Sequence, residues 1–136
     1  MQLAPERDTV PLELNRSELF ARDNHHSEAM VYGYLPLMTS AQCVHANTEK
    51  CDRERGILYL KDRYGKYFPV KNNCTECYNT IYNTTPLMLF DERADFLRMG
   101  IAAYRISFTI EEEEQAAFIL DLFELTLLCK NNDRTA

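Results

Sequence analysis

Four cysteines, Cys43, Cys51, Cys74 and Cys77, crowd into one stretch, separated in turn by seven, twenty-two and two residues. Thiolates are soft, anionic ligands, and four of them brought together match what a tetrahedral zinc ion or a [4Fe–4S] cluster requires. Only Cys74-Thr75-Glu76-Cys77 has the tight two-residue spacing of a metal-binding knuckle. Two other readings stand beside that one: small thiols packed as hydrophobes without a ligand, and disulfides. The fifth cysteine, Cys129, sits alone near the end of an apolar helical pattern and reads as packing.

The imidazoles offer less. His25 and His26 lie in a run of turn-forming residues, where a solvated role is the ordinary one. His45 follows Cys43 by two residues, which suits a fifth ligand or a group supporting the first four. No HExxH helix, GxSxG elbow or linked Cys-His-Asn pattern is present to activate a water or a nucleophile.

A hairpin is expected to carry the cysteines. Ile57 to Asp62 and Lys66 to Val70 flank Arg63-Tyr64-Gly65, with the glycine placed for a positive φ. Before it, Thr9 to Leu14 reads as a strand. Asn15 and Glu18 form a capping box for a helix from Arg16 to Arg22, and Ala29 to Tyr32 is a second strand, broken at Gly33 and at Pro36. After it, the start of 77–82 reads as a helical turn and Pro86 to Phe90 as a buried strand. A helix capped by Asp91 stops at Gly100, and Ala103 to Phe108 is the next strand. Thr109 and Glu112 suggest a second capping box, with Glu111 to Glu114 in the first helical turn, where the helix dipole favours negative charge. That last helix carries Phe118, Leu122, Leu125 and Leu128 on one stripe, with Ile119, Phe123 and Leu127 close by, a breadth that predicts contact on more than one side.

Strands alternating with helices predict an α/β fold with a mainly parallel sheet. Four such strands cover themselves poorly. The pattern therefore fits a partial, half-barrel piece of a (β/α)8-like architecture, with residues 1–136 as one partial domain and 39–80 as a cysteine-rich hairpin insertion. In a barrel, chemistry lies at the C-terminal ends of strands, which singles out Glu13 as a general base and Arg105 as a holder of a substrate carboxylate, with Tyr34 and Thr109 nearby. The plainer alternatives are that Glu13 covers the helix that follows it and that Arg105 pairs with a glutamate such as Glu111.

The 136 residues are 46% apolar and 26% charged, an ordinary globular composition. No apolar run of about 18 residues exists, and Glu6, Arg7 and Asp8 interrupt the start where a signal peptide needs an apolar stretch. The expectation is a chain in the cytoplasm with no membrane partner, where a reducing environment favours thiols or metal ligation. A net charge of −6 disfavours nonspecific nucleic-acid binding. The only basic concentration, Arg53, Arg55, Lys61, Arg63, Lys66 and Lys71, is interleaved with Tyr59, Tyr64, Tyr67 and Phe68. It reads as a solvated hairpin, with an RNA-stacking surface as the less favoured alternative.

Several segments together resemble peptidase family U32, the collagenase-like proteases. These are Val10 to Asn15 (VPLELN), Glu28 to Met38 (EAMVYGYLPLM) followed by Ser40-Ala41-Gln42-Cys43, Leu60 to Val70 (LKDRYGKYFPV), and Tyr104 to Glu111 (YRISFTIE). The resemblance spans nearly the whole chain. Family domains are barrel-like and considerably longer, so it implies a C-terminal portion, inactive by itself, whose partner is the remainder of the parent domain or a second copy, with a protein or peptide substrate.

The family also includes oxygen-independent hydroxylases that use prephenate and a [4Fe–4S] cluster on RNA or quinone precursors. Against their signature Glu28, Gly33 and Cys43 fit, while Met30, Tyr34, Pro36 and Ala41 depart from it. That comparison implies that Cys51 replaces the ligand lost at Pro36, so that Cys43, Cys51, Cys74 and Cys77 hold the cluster. A third reading is a noncatalytic, zinc-stapled interaction module.

Overall fold

Asn15 ends an irregular stretch and begins a helix, because its side chain accepts from the Glu18 backbone N–H at 3.1 Å while the Glu18 carboxylate accepts from the Asn15 N–H at 2.8 Å. The resulting helix α1 spans Arg16–Ala21. The structure is a computed structural model and describes residues 6–44, 46 and 56–128. Among the described residues the chain has mixed α/β content with two four-stranded sheets and three α-helices, and no closed barrel forms. It divides into two compact units, one built from 6–33, 88–107 and 111–128, the other from 34–87 and 108–110.

The first unit is organised by β2 (Ser27–Gly33). It pairs in parallel with β1 (Asp8–Thr9) and with β8 (Ala103–Ser107), and the short β7 (Leu87–Met88) completes the sheet. Strand β1 is shorter than the alternation over Thr9 to Leu14 predicts: Pro11 lacks a ladder N–H, and Leu14 N–H turns back to the Pro11 carbonyl at 3.3 Å. Ala29, Val31 and Tyr32 pack with Phe90, Phe96, Met99, Ile119 and Leu127 in one apolar cluster. Phe90 meets Phe123 in a tilted contact at 5.8 Å, and Tyr104 meets Phe96 at 5.6 Å. Burial pushes the Tyr104 phenol above its ordinary range.

A 3₁₀ turn at Phe90–Glu92 leads into α2 (Arg93–Met99), so Glu92 rather than Asp91 stands at its cap. Gly100 ends α2 as expected, at φ 73°, and lets its own N–H and that of Ile101 reach back to the Leu97 and Phe96 carbonyls. The last helix, α3 (Glu113–Thr126), starts one turn later than the Thr109 box predicts. Gln115 Oε1 accepts from the Glu112 N–H at 3.2 Å, and Glu112 is the cap. Of its apolar residues, Ile119 is buried and Leu122 and Phe123 pack on the core, whereas Phe118 and Leu125 are 66% and 73% exposed. The contact on several sides expected for this helix is thus not made within the described chain.

The second unit is an antiparallel sheet built from β3 (Pro36–Ser40), β4 (Ile57–Lys61), β5 (Tyr67–Asn73) and β6 (Tyr78–Tyr82). Their order across the sheet is β3-β6-β5-β4. Strands β4 and β5 pair from Ile57↔Lys71 to Lys61↔Tyr67 around a turn in which Gly65 adopts φ 80°. Two expectations are corrected. Residues 78–82 are a strand and not a helical turn, since Val70 to Asn73 supply a full ladder to pair with. Pro36 does not merely break β2. It opens β3, at the end of an edge strand where a missing N–H costs little.

Candidate cysteine site

Strand directions bring the cysteine segments to one end of the second sheet. β3 runs out of its ladder at Ser40, opposite Asn79, three residues before Cys43. β5 runs out at Asn73, opposite Tyr78, and Cys74 to Cys77 form the loop between them. β4 begins at this same end, with Ile57 opposite Lys71. The chain between β3 and β4 therefore leaves and returns at the end where Cys74 and Cys77 lie. Cys51 and His45 in that connection fall outside the described residues.

Asn79 helps set this end. It is fully buried, and its Nδ2 donates to the Gln42 carbonyl, tying the residue before Cys43 to β6. The Asn79 Oδ1 has no hydrogen-bond partner among the described residues. Cys43 and Cys74 are half-buried and Cys77 is exposed, and no disulfide joins any two of the three. Cys77 adopts φ 56°, unusual for a residue other than glycine, and its Sγ lies 4.0 Å from the Cys74 carbonyl oxygen. A concavity of about 450 Å³ opens beside the loop, lined by Lys71, Asn73, Cys74, Thr75, Tyr78 and Thr80. Among the described residues no three His, Cys, Asp or Glu side chains gather as a metal site. Cys43, Cys74 and Cys77 thus belong to the same sheet end without closing on a common centre, and none is locked in a disulfide with another.

The other candidates scatter. Glu13 is exposed in the turn between β1 and α1, four residues beyond the end of β1. Arg105 does pair with a glutamate, but with Glu28 on the neighbouring strand at 2.5 Å rather than Glu111. Thr9 Oγ1 donates to the same Glu28 oxygen at 2.8 Å, and these two donors, Thr9 first, hold the carboxyl below its ordinary range. His25 is exposed and hydrogen-bonded to Asp23 at 2.6 Å, as a solvated turn histidine should be. On the hairpin, Arg63 lies over the Tyr64 ring at 4.7 Å and Lys61 over Tyr67 at 5.4 Å, so two of the four aromatic rings singled out there already have a cation of the same hairpin over one face.

Sequence reasoning missed Asn79, whose isolated amide carries no motif, and the Thr9–Glu28–Arg105 row. The row had a signal in principle: all three are polar residues within apolar strand patterns. No family model, curated protein or solved structure matches the chain.

Proposed function

We propose that this chain is the C-terminal portion of a U32-type domain, of the collagenase-like peptidase group, and that the cysteine end of its second sheet is its metal or cluster site. The observation that carries the reading is topological: Cys43, Cys74, Cys77 and both attachment points of the Cys51 connection share one end of the sheet. Cys43, Cys51, Cys74 and Cys77 would hold the group. Bound there, an iron–sulfur cluster supplies electron transfer or an open iron site, whereas zinc supplies a structural staple.

The parallel pairing of β1, β2 and β8, with β1 and β8 each leading into a helix, supports a half-barrel origin for the first unit. Its open elements, the outer edge of β8 and the Phe118 and Leu125 face of α3, supply a surface for the remaining barrel strands or for a second copy. The isolated chain is expected to be inactive, because a barrel site draws on strands from both halves.

Anaerobic purification followed by an absorbance spectrum and metal analysis tests the reading. A brown protein with about four irons per chain supports the iron–sulfur hydroxylase relationship. One colourless zinc per chain supports the stapled interaction module. Gelatin hydrolysis without either metal supports a peptidase and sinks the cysteine site. A protein with neither metal nor turnover, whose four cysteines each titrate as unligated thiols, also sinks it.

A further inference from the structure

We propose that Cys74 and Cys77 are an oxidisable dithiol, closing to a disulfide within their own loop. The pair Asn73↔Tyr78 pins both ends of the loop that carries them. A four-residue turn keeps its first and last Cα atoms within about 7 Å, and a disulfide accepts Cα separations of roughly 4.4 to 6.8 Å. No ladder pair has to open for the bond to form.

The side chains agree with the backbone. The left-handed conformation of Cys77 folds its thiol back across the loop, to 4.0 Å from the Cys74 carbonyl oxygen. Cys77 is exposed and Cys74 half-buried, so a small oxidant reaches the first and the second is sheltered as the resolving thiol.

With a hydroperoxide as oxidant the step balances. The Cys77 thiolate attacks the terminal peroxide oxygen, whose O–O bond breaks to release water or an alcohol and leave a sulfenic acid. The Cys74 thiolate then attacks that sulfur, forming the S–S bond and expelling a second water once a proton is taken up. Two thiols are oxidised and one peroxide is reduced. The dithiol stands on the loop geometry alone.

Peptide mapping of the full chain tests the proposal. Metal-free protein is exposed to stoichiometric hydrogen peroxide, alkylated and digested with trypsin, which releases Cys74 and Cys77 in one peptide between Lys71 and Arg93. The expected result is a peptide lighter by about 2 Da and unalkylated, restored by dithiothreitol. In Cys74→Ser the loss of mass should vanish while circular dichroism stays unchanged. Full alkylation of both cysteines, irreversible sulfinic acid at Cys77, or a disulfide mapped to Cys43 or Cys51 would overturn the dithiol.

Discussion

Arg105 reaches across from β8 to hold the Glu28 carboxylate on β2 at 2.5 Å, so the arginine best placed to bind a substrate carboxylate already binds one from its own chain. Glu28 is mostly covered, while Arg105 stays half-exposed. The pair is a cross-strand brace on neighbouring parallel strands.

The brace has a pH signature. Thr9 and Arg105 both favour the charged form, so Glu28 titrates below its ordinary 4.5. A depressed carboxyl contributes stability that is fully present above 4.5 and is lost as pH falls through the folded value. Arg105→Met should raise the Glu28 midpoint in a carbon-detected NMR titration. The variant should also lose less of its melting temperature than the parent on going from pH 5 to pH 3. An unmoved midpoint would show that the two groups are not coupled in solution.

Asn24 is fully buried, and its Nδ2 donates to the carbonyls of Leu19 at 2.8 Å, Arg22 at 3.3 Å and Met99 at 3.2 Å. It joins the end of α1 to the end of α2. Asn24→Ala leaves these carbonyls short of a donor and should cost about 2–3 kcal/mol in urea unfolding. A loss below about 0.5 kcal/mol would mean that water replaces the amide.

The two faces of α3 should respond differently. Ile119→Ala opens a cavity in the core cluster and should cost about 2–4 kcal/mol. Phe118→Ala, at a side chain 66% exposed, should change stability by no more than about 0.5 kcal/mol. A large effect at Phe118 would reveal that a second molecule covers it, and sedimentation at several concentrations would then show an oligomer.

Gly100 sits at φ 73° with the His25 ring 3.5 Å from where a Cβ would stand. The space tolerates a methyl, but the backbone angle does not suit one. Gly100→Ala is expected to cost about 1 kcal/mol, measurable as a lower denaturation midpoint with an unchanged slope.

Asn79 positions Cys43 through the Gln42 carbonyl. In Asn79→Ala the alkylation rate of Cys43 should rise several-fold. Metal affinity, if the cysteine end is loaded as proposed, should fall about 10–100-fold. Unchanged reactivity at Cys43 would remove Asn79 from the site.

Local chemistry was legible from the chain alone wherever neighbouring residues decide the outcome. The Asn15 and Glu18 box, the Gly65 turn and the Gly100 stop depend on hydrogen bonds and φ angles within a few residues, and each forms where its residues stand. The same locality explains the errors. The Thr109 box lost to Glu112 because both patterns fit the same run of glutamates, and the choice turned on where β8 ends and the helix must begin.

Residue spacing alone determined that this chain concentrates its sulfur in one stretch and builds mixed helix and strand around it. Only the tertiary structure decided that Pro36 opens the edge strand of a second sheet, that residues 78–82 extend as its inner strand, and that Arg105 belongs to Glu28. Pairing partners are chosen by ladder hydrogen bonds and burial between segments as far apart as Glu28 and Arg105. No window of sequence short enough to read for periodicity contains both sides of such a contact.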